Sequence, residues 1–408
     1  MEGNILVGQS GGPTAVINAS LAGVYKTAKD LGVKKIYGMR YGIDGFIKGK
    51  YIDMSDYIRS DLDIELLKRT PSSFLGSCRY KLPDCESRSE DYEKIFALFK
   101  KLDIQYVLYI GGNDSMDTIK KLSAYARIVG SGIRFVGVPK TIDNDLAITD
   151  HTPGYGSAAK YIAGSVKEVI RDAKVYDINS VAIIEIMGRN AGWLTASAAL
   201  AEGEDCSGPD MIYLPEKPFD AGQFLTGISE LQKKRNNIVI AVSEGIKSAD
   251  GKYICEGGTS SQSIDCFGHV QLGGTALTLS ALVGRELGIK SRGIVLSTLQ
   301  RCASHWVSRR DMTEAFTAGA DAVSRAVSGE SGVMVTFERI SDFPYQIRTS
   351  AADIDKIANV EKCVPKEWIL EDNTLRKDEI IRYISPLIVG ELSPMVIEGV
   401  PRHLYIDR

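Results

Sequence analysis

Tyr106-Val107-Leu108-Tyr109-Ile110-Gly111-Gly112-Asn113-Asp114-Ser115-Met116 reads as a strand that breaks at a glycine pair and restarts as a helix. The apolar run does not alternate with polar residues, which is the pattern of a strand covered on both faces. The helical pattern after it runs from Met116 to Val129. The same order recurs along the chain. Ile5-Leu6-Val7 leads into Gln9-Ser10-Gly11-Gly12-Pro13, and Phe135-Val136-Gly137-Val138 leads into Pro139-Lys140-Thr141-Ile142-Asp143-Asn144-Asp145. Residues 181–186 lead into Met187-Gly188-Arg189-Asn190-Ala191-Gly192-Trp193, and residues 238–242 into Ser243-Glu244-Gly245. Residues 293–296 lead into Thr298-Leu299-Gln300-Arg301, and Val333-Met334-Val335 closes the series. A helix is expected over residues 13–31, with Val16, Ile17, Leu21, Val24, Tyr25 and Ala28 on one face, Pro13 in its first turn and Gly32 as its stop. Another is expected over residues 191–201. Strands alternating with helices predict an α/β fold of mostly parallel, helix-flanked sheets. Ligands of such sheets bind beyond the C-terminal ends of the strands, so the turns just quoted carry the functional information.

The length of 408 residues fits two or three domains. A shift near residues 150–156 marks a crossing between lobes, and from about Ser341 the sequence becomes mixed and charged, including Glu371-Asp372-Asn373. The expected division is therefore residues 1–150 plus about 302–345, residues 151–301, and a C-terminal extension over 346–408. With 49 basic and 52 acidic residues the net charge is −3, and no Lys/Arg-rich block supports a nucleic-acid or membrane-surface partner. No apolar run approaches the ~20 residues of a membrane helix. Met1-Glu2-Gly3-Asn4 lacks the basic start of a signal peptide, and the seven cysteines include no Cys-x-x-Cys, so reduced thiols in a cytoplasmic protein are expected. The four histidines show no metal-site spacing, which argues against a zinc enzyme.

Gly11 and Gly12 precede a helix, where backbone N–H groups and the helix terminus favour an anion. The stretch is neither Gly-x-Gly-x-x-Gly nor a Walker loop. Residues 139–145 place Lys140, Thr141, Asp143, Asn144 and Asp145 together after a buried strand. Burial of that many polar groups demands partners, so a ligand is expected there. Asp114 or Ser115 is open to a second reading as a helix N-cap. Arg79, Arg189 and Arg301, taken singly, read as surface ion-pair residues, the commoner fate of an arginine.

In order, and over roughly residues 4–340, these segments resemble the phosphofructokinase A family. Thr141-Ile142-Asp143-Asn144-Asp145 and Met187-Gly188-Arg189 stand intact. The resemblance implies two similar three-layer α/β lobes with an active-site cleft between them. It also implies a homodimer or homotetramer in which one subunit helps complete its neighbour's sugar-phosphate site. Asp143 then becomes the base for the sugar 1-hydroxyl, Thr141 lies beside the transferred phosphoryl, and Asn113 and Asp145 face Mg²⁺. Gly11, Gly12 and Arg79 match the donor-phosphate cradle; Met187, Gly188, Arg189 and Glu244 match the sugar site, with Arg189 also catalytic. Arg292, Thr298 and Arg301 are aligned with the 6-phosphate contacts, Thr298 replacing the usual histidine. The alternative stretch at residues 268–274 would put Leu272 in place of the phosphate-binding arginine. Ser180 stands where the family has a further arginine, which leaves the acceptor open unless Lys174 compensates.

Donor choice rests on two positions. Asp114 and Lys140 stand where ATP-dependent members carry glycine. A carboxylate facing a nucleotide phosphate 4 Å away costs ~4 kcal/mol at an effective dielectric of ~20, whereas a lysine neutralises a departing phosphate. The expectation is a reversible phosphoryl transfer from inorganic pyrophosphate to fructose 6-phosphate in glycolysis or gluconeogenesis. The rival readings are ATP as donor, sedoheptulose 7-phosphate as acceptor, and a non-catalytic sugar-phosphate sensor. NAD-kinase-like and lipid-kinase-like enzymes share the Gly-Gly-Asp-type turn but are not expected to carry Met-Gly-Arg or Gln-Arg.

Overall fold

A computed structural model describes residues 3–257, 272–370 and 375–406. The chain forms two compact units, the first from Met1–Ser157, Arg301–Glu361 and Val389–Arg408, the second from Ala158–Gln300 and Lys362–Ile388. In chain order the first unit supplies β1 (Asn4–Gln9), β2 (Ile36–Met39), β3 (Tyr51–Asp53), β4 (Ile104–Gly111) and β5 (Arg134–Pro139). The second supplies β6 (Ser180–Ile186), the short pair β7 (Glu202–Gly203) and β8 (Cys206–Ser207), β9 (Met211–Tyr213), β10 (Asn237–Ser243) and β11 (Lys290–Val295). The chain then returns to the first unit with β12 (Val333–Asp342) and β13 (Tyr345–Asp353).

The first unit is built on a seven-stranded sheet of order β13-β12-β5-β4-β1-β2-β3. Its inner pairs are parallel, and both edges, β3 and β13, run antiparallel. Alternate residues of the inner strands enter opposite cores. Ile5, Val7, Leu108, Ile110, Val136 and Val138 pack with Leu21, Val24, Ala322 and Val323. Leu6, Val107, Tyr109 and Phe135 pack on the other side with Phe99, Met116 and Ile119. On the first face the helices Ile17–Asp30 and Arg309–Ser328 touch backbone to backbone. A Cβ on Gly23 would stand 2.0 Å from the Phe316 carbonyl oxygen, and one on Gly319 would stand 2.0 Å from that of Ser20.

The second unit carries a four-stranded parallel sheet of order β11-β6-β10-β9. Val181, Ile183, Ile238, Ile240 and Val242 meet Phe224, Ile228, Ala276, Leu279 and Val283 in its core. Among the described residues no helix is long and apolar enough to cross a membrane.

Three local expectations are corrected. The first helix begins at Ile17 rather than Pro13, because residues 13–16 form a turn in which Thr14 Oγ1 accepts the Val16 N–H at 3.3 Å. The helix expected over 191–201 is one α turn, Trp193–Ala196, tightening into the 3₁₀ segment Ser197–Ala201. The mixed stretch after Ser341 does not leave the sheet: β12 runs on to Asp342 and turns back as β13. Its alternating exposure at an edge is what made it look irregular in sequence.

Candidate active site

The register of the large sheet sets three turns side by side, since Gln9 pairs with Ile110 and Gly111 with Pro139. Hydrogen bonds then tie the turns together. Gly11 N donates to Cys78 O at 3.2 Å, and Ser77 Oγ donates to Gly11 O at 2.6 Å, which holds the Arg79 segment against the first turn. Lys140 N donates to Gly111 O at 3.0 Å, joining the third turn to the second. The buried Lys140 ammonium donates to Gly12 O at 2.6 Å, joining the third to the first. Gly11 has φ +76°, and a Cβ there would lie 3.4 Å from Lys140 Nζ. Burial pushes the Lys140 amine down to about 8; Asp143 and Asp145 pull it back up, while Arg301 and Arg79 push it down further.

Arg301, expected at the sugar 6-phosphate, lies beside the first glycine turn. Its Nη1 lies 3.4 Å from where a Cβ on Gly12 would stand, and its Nε is buried with no hydrogen-bond partner among the described residues. The guanidinium therefore joins Lys140 at the glycine turn. Sequence alignment places a residue along the chain but not the side of the turn it faces.

The loop at residues 141–145 is held by its own backbone and by residues 152 and 153. Asp143 N donates to Thr141 Oγ1 at 3.0 Å, Thr141 N to Pro153 O at 3.2 Å, and Thr152 Oγ1 to Thr141 O at 2.8 Å. Asn144 takes φ +55° and accepts the Thr152 N–H on Oδ1 at 3.1 Å. Asp145 Oδ1 is buried without a hydrogen-bond partner among the described residues. Burial, then the charges of Asp143 and Glu361, push the Asp145 carboxyl up to about 7.

The second turn revises two readings. Gly112, not Asp114 or Ser115, is the N-cap residue of the helix Asn113–Ile128, and no side chain caps it among the described residues. Asp114 thus stays half-buried at an uncapped helix start. Asn113, expected to face a metal, is taken up elsewhere. Its Nδ2 donates to Val360 O at 3.0 Å and its Oδ1 accepts the Asn359 N–H at 3.0 Å. Asn359 Nδ2 in turn donates to Asp117 Oδ1 at 3.0 Å. The segment that satisfies Asn113 is some 250 residues away along the chain, so nothing near Gly111 signals it.

Magnesium fits one side of this site and not the other. The orphaned Asp145 oxygen is a free hard ligand, whereas the Asn113 amide is already engaged at both ends. Among the described residues no group of three or more His, Cys, Asp or Glu could hold a metal by itself. Mg²⁺ bound here would draw its remaining ligands from substrate phosphate and water, as that ion commonly does.

In the second unit, β6 and β10 end together, Ile186 opposite Ser243. Met187 N donates to Gln300 Oε1 at 3.0 Å, Gly188 N reaches Glu244 Oε1 at 3.5 Å, and Ser243 Oγ donates to Gly188 O. A Cβ on Gly245 would stand 2.0 Å from Arg189 O, so the two turns are in backbone contact. The structure thus gathers Met187, Gly188, Arg189 and Glu244. Arg292 is elsewhere: it is exposed on the edge strand β11 and pairs with Asp172 at 2.5 Å. Ser180 opens β6, at the far end from Met187, and accepts Asn237 Nδ2 at 3.0 Å. Thr298 directly precedes the short helix Leu299–Cys302. Residues 268–271 of the rejected phosphate stretch lie outside the described residues. Sequence reading missed Glu185, whose buried carboxylate accepts Gly274 N at 3.1 Å and Ala276 N at 2.9 Å. A lone acid inside the apolar run 181–186 was its signal.

A family model described as Phosphofructokinase matches residues 4–295. The chain belongs to the phosphofructokinase family. It is 41% identical over 407 residues to the pyrophosphate–fructose 6-phosphate 1-phosphotransferase of Xanthomonas campestris, covering 99% of this chain and 96% of that one. It is 40% identical over 403 residues to the enzyme of the same name from Halomonas elongata, with 98% and 95% covered. The crystal structure of a pyrophosphate-dependent phosphofructokinase from Nitrosospira multiformis superposes with a TM-score of 0.88 at 39% identity, covering 98% of this chain and 95% of that one.

Proposed function

We propose that this chain moves a phosphoryl group from inorganic pyrophosphate to the 1-hydroxyl of fructose 6-phosphate, reversibly, giving fructose 1,6-bisphosphate and phosphate. The observation that carries the donor choice is the buried Lys140 ammonium bonded to Gly12 O, with Asp114 at the uncapped helix start. The close relatives carry the same donor and acceptor in their names. Phosphoryl transfer asks mainly for positioning and charge neutralisation, which Lys140, Arg79, Arg301 and the Gly11 and Gly12 amides supply. The first unit takes the donor and the second the sugar phosphate.

Asp143 accepts the 1-hydroxyl proton as the new O–P bond forms. Thr141 orients the acceptor beside it. Met187, Gly188, Arg189 and Glu244 hold the sugar, with Arg189 also neutralising charge on the transferred group. Mg²⁺, held by Asp145 and the diphosphate, would offset negative charge on the donor. Arg292, exposed on an edge strand, is free of the Met187 turn and suits the sugar phosphate of a neighbouring copy in a dimer or tetramer. Pyrophosphate and fructose 6-phosphate as substrates support a cytoplasmic role in glycolysis or gluconeogenesis.

The deciding experiment offers pyrophosphate, ATP and GTP at matched Mg²⁺ with fructose 6-phosphate and measures fructose 1,6-bisphosphate. Pyrophosphate should be the preferred donor by at least ~100-fold, a margin of about 2.7 kcal/mol. Turnover with ATP equal to that with pyrophosphate would sink the reading.

A further inference from the structure

We propose that His151 is a positioning residue for the catalytic loop: clamped between the carboxylates of Asp150 and Glu314, its ring fixes residues 149–154, and these in turn hold residues 141–145 in their working shape. The proposal rests on the reading of Asp143 as the base, and goes beyond it by naming what keeps that base in place.

The geometry runs outward from the loop. Thr141 and Asn144 are both tied to residues 152 and 153 by the bonds described above, and Thr141 bridges to Gly154 as well. That second segment has no regular structure of its own to lean on. Its two ends are tied down, Asp150 N donating to Phe337 O at 2.9 Å and Phe337 N to Thr149 Oγ1 at 2.9 Å on one side and Gly154 N to Asp311 on the other, and its middle is fixed through His151. Its Nδ1 lies 2.8 Å from Asp150 Oδ1 and its Nε2 lies 2.8 Å from Glu314 Oε2, while the ring stacks on Phe337 at 5.1 Å between centroids. A ring nitrogen facing a carboxylate on each side needs a proton on each, which is the imidazolium form.

The groups around the ring come from four elements. The loop itself gives Asp150. The helix Arg309–Ser328 gives Glu314, with Asp311 beside it binding Gly154 N at 2.8 Å. Strand β12 gives Arg339, whose Nη2 reaches Asp150 Oδ1 at 2.9 Å and whose Nη1 reaches Asp342 Oδ1 at 3.0 Å. Strand β13 gives Tyr345, which donates to Glu314 Oε1 at 3.0 Å and lies under the Arg310 guanidinium at 4.9 Å. Of the two carboxylates that touch the ring, Asp150 also meets Arg339, while among the described residues His151 is the cation that faces Glu314. Burial alone would push the imidazole down, but Glu314 and Asp150 raise it to about 9. The clamp is therefore complete below the ordinary histidine value of ~6.5. It is lost as pH rises through about 9.

None of the histidine contacts reaches the loop at 141–145 directly, so the effect on Asp143 passes through Thr152 and Pro153. Displacing a catalytic group by about 1 Å costs up to ~100-fold in rate. The signature is a fall in kcat at alkaline pH with the KM values little changed. Lys140, which touches the donor site, should instead act on kcat/KM for pyrophosphate.

The test uses the whole protein, unaltered and as Glu314→Gln and Tyr345→Phe. Carbon-13 labelled histidine gives the imidazole titration, the chain having only four histidines. Hydrogen exchange of the peptide spanning 141–154, corrected for intrinsic rates, gives loop order at pH 8. The kcat profile with pyrophosphate and fructose 6-phosphate gives function. His151 should titrate near 9 in the unaltered protein. Glu314→Gln should lower that titration by at least ~10-fold in proton affinity, speed exchange at 141–145 at least ~10-fold, and carry the alkaline limb of kcat down with it. Tyr345→Phe should do the same in smaller measure. Unchanged exchange at 141–145 in Glu314→Gln overturns the proposal, as does a kcat profile that stays put while the imidazole titration moves. A lower melting temperature with both readouts unmoved would mean that the cluster is structural only, which also overturns it. Absence of pyrophosphate-dependent turnover would sink the donor reading and leave the titration and exchange arms to decide this one.

Discussion

Lys140 carries two duties that pull in opposite directions. It must stay charged to face phosphate, yet it is buried, and burial brings its amine down to about 8. A lowered amine loses its proton earlier as pH rises, so the cation is present below about 8 and lost above it. The specificity constant kcat/KM for pyrophosphate should therefore fall as pH rises through 8, and Lys140→Met should flatten that limb. A steady-state pH series with limiting pyrophosphate checks it. Asp143→Asn should retain fold and binding while turnover drops by ~10²–10⁴, the span of a positioned acid–base group; near-normal turnover in the purified variant would remove Asp143 from its role. Much of this site was legible in sequence because phosphate chemistry needs glycine turns, cations and a base at strand ends. Asn113 and Arg301 show where legibility stopped. Each is the expected residue at the expected turn, but the bonds that occupy Asn113 come from Asn359 and Val360, and the guanidinium of Arg301 turns to Gly12.

At the scale of elements, the Val- and Ile-rich central strands could be read directly, since burial on both faces leaves a continuous apolar run. The short strand β2 could not. Gly38 breaks its apolar run because Leu75 packs where a side chain would be, the Cδ2 only 2.5 Å from a notional Cβ. The pairing of the helices Ile17–Asp30 and Arg309–Ser328 was equally hidden. In an exposed helix, replacing glycine by alanine gains about 1 kcal/mol. Gly23→Ala should instead destabilise by at least ~1–3 kcal/mol, as an overpacked contact does. A urea titration of the two proteins reads the sign. Glu185→Ala offers a second check, because it strands the Gly274 and Ala276 N–H groups at the start of the helix Thr275–Leu287. The cost of such a loss is ~1–3 kcal/mol per buried group.

For the molecule as a whole, donor choice is set by one repulsive and one attractive group. Deleting the repulsive one is the sharper test. Asp114→Gly should admit ATP weakly, Lys140→Gly should impair pyrophosphate use, and the double variant should move the ATP-to-pyrophosphate ratio of kcat/KM upward by ~10-fold or more. An unchanged ratio in Asp114→Gly would show that the carboxylate does not police the donor.

The first unit is assembled from three separate stretches of chain, and its order in time follows from that. Lys140, Thr141 and Asp143 leave the ribosome by position 145, but the partners that extend their sheet and cover one face of it, β12 and the helix Arg309–Ser328, come only after residue 308. At ordinary synthesis speeds of about 5–20 residues per second, that gap is roughly 8–33 s of translation. During this interval Val136 and Val138 lack the helix Arg309–Ser328 that packs over β5. The nascent chain thus carries an incomplete first core until the helix Arg309–Ser328 emerges, and activity should appear only once that helix has been made rather than grow with chain length.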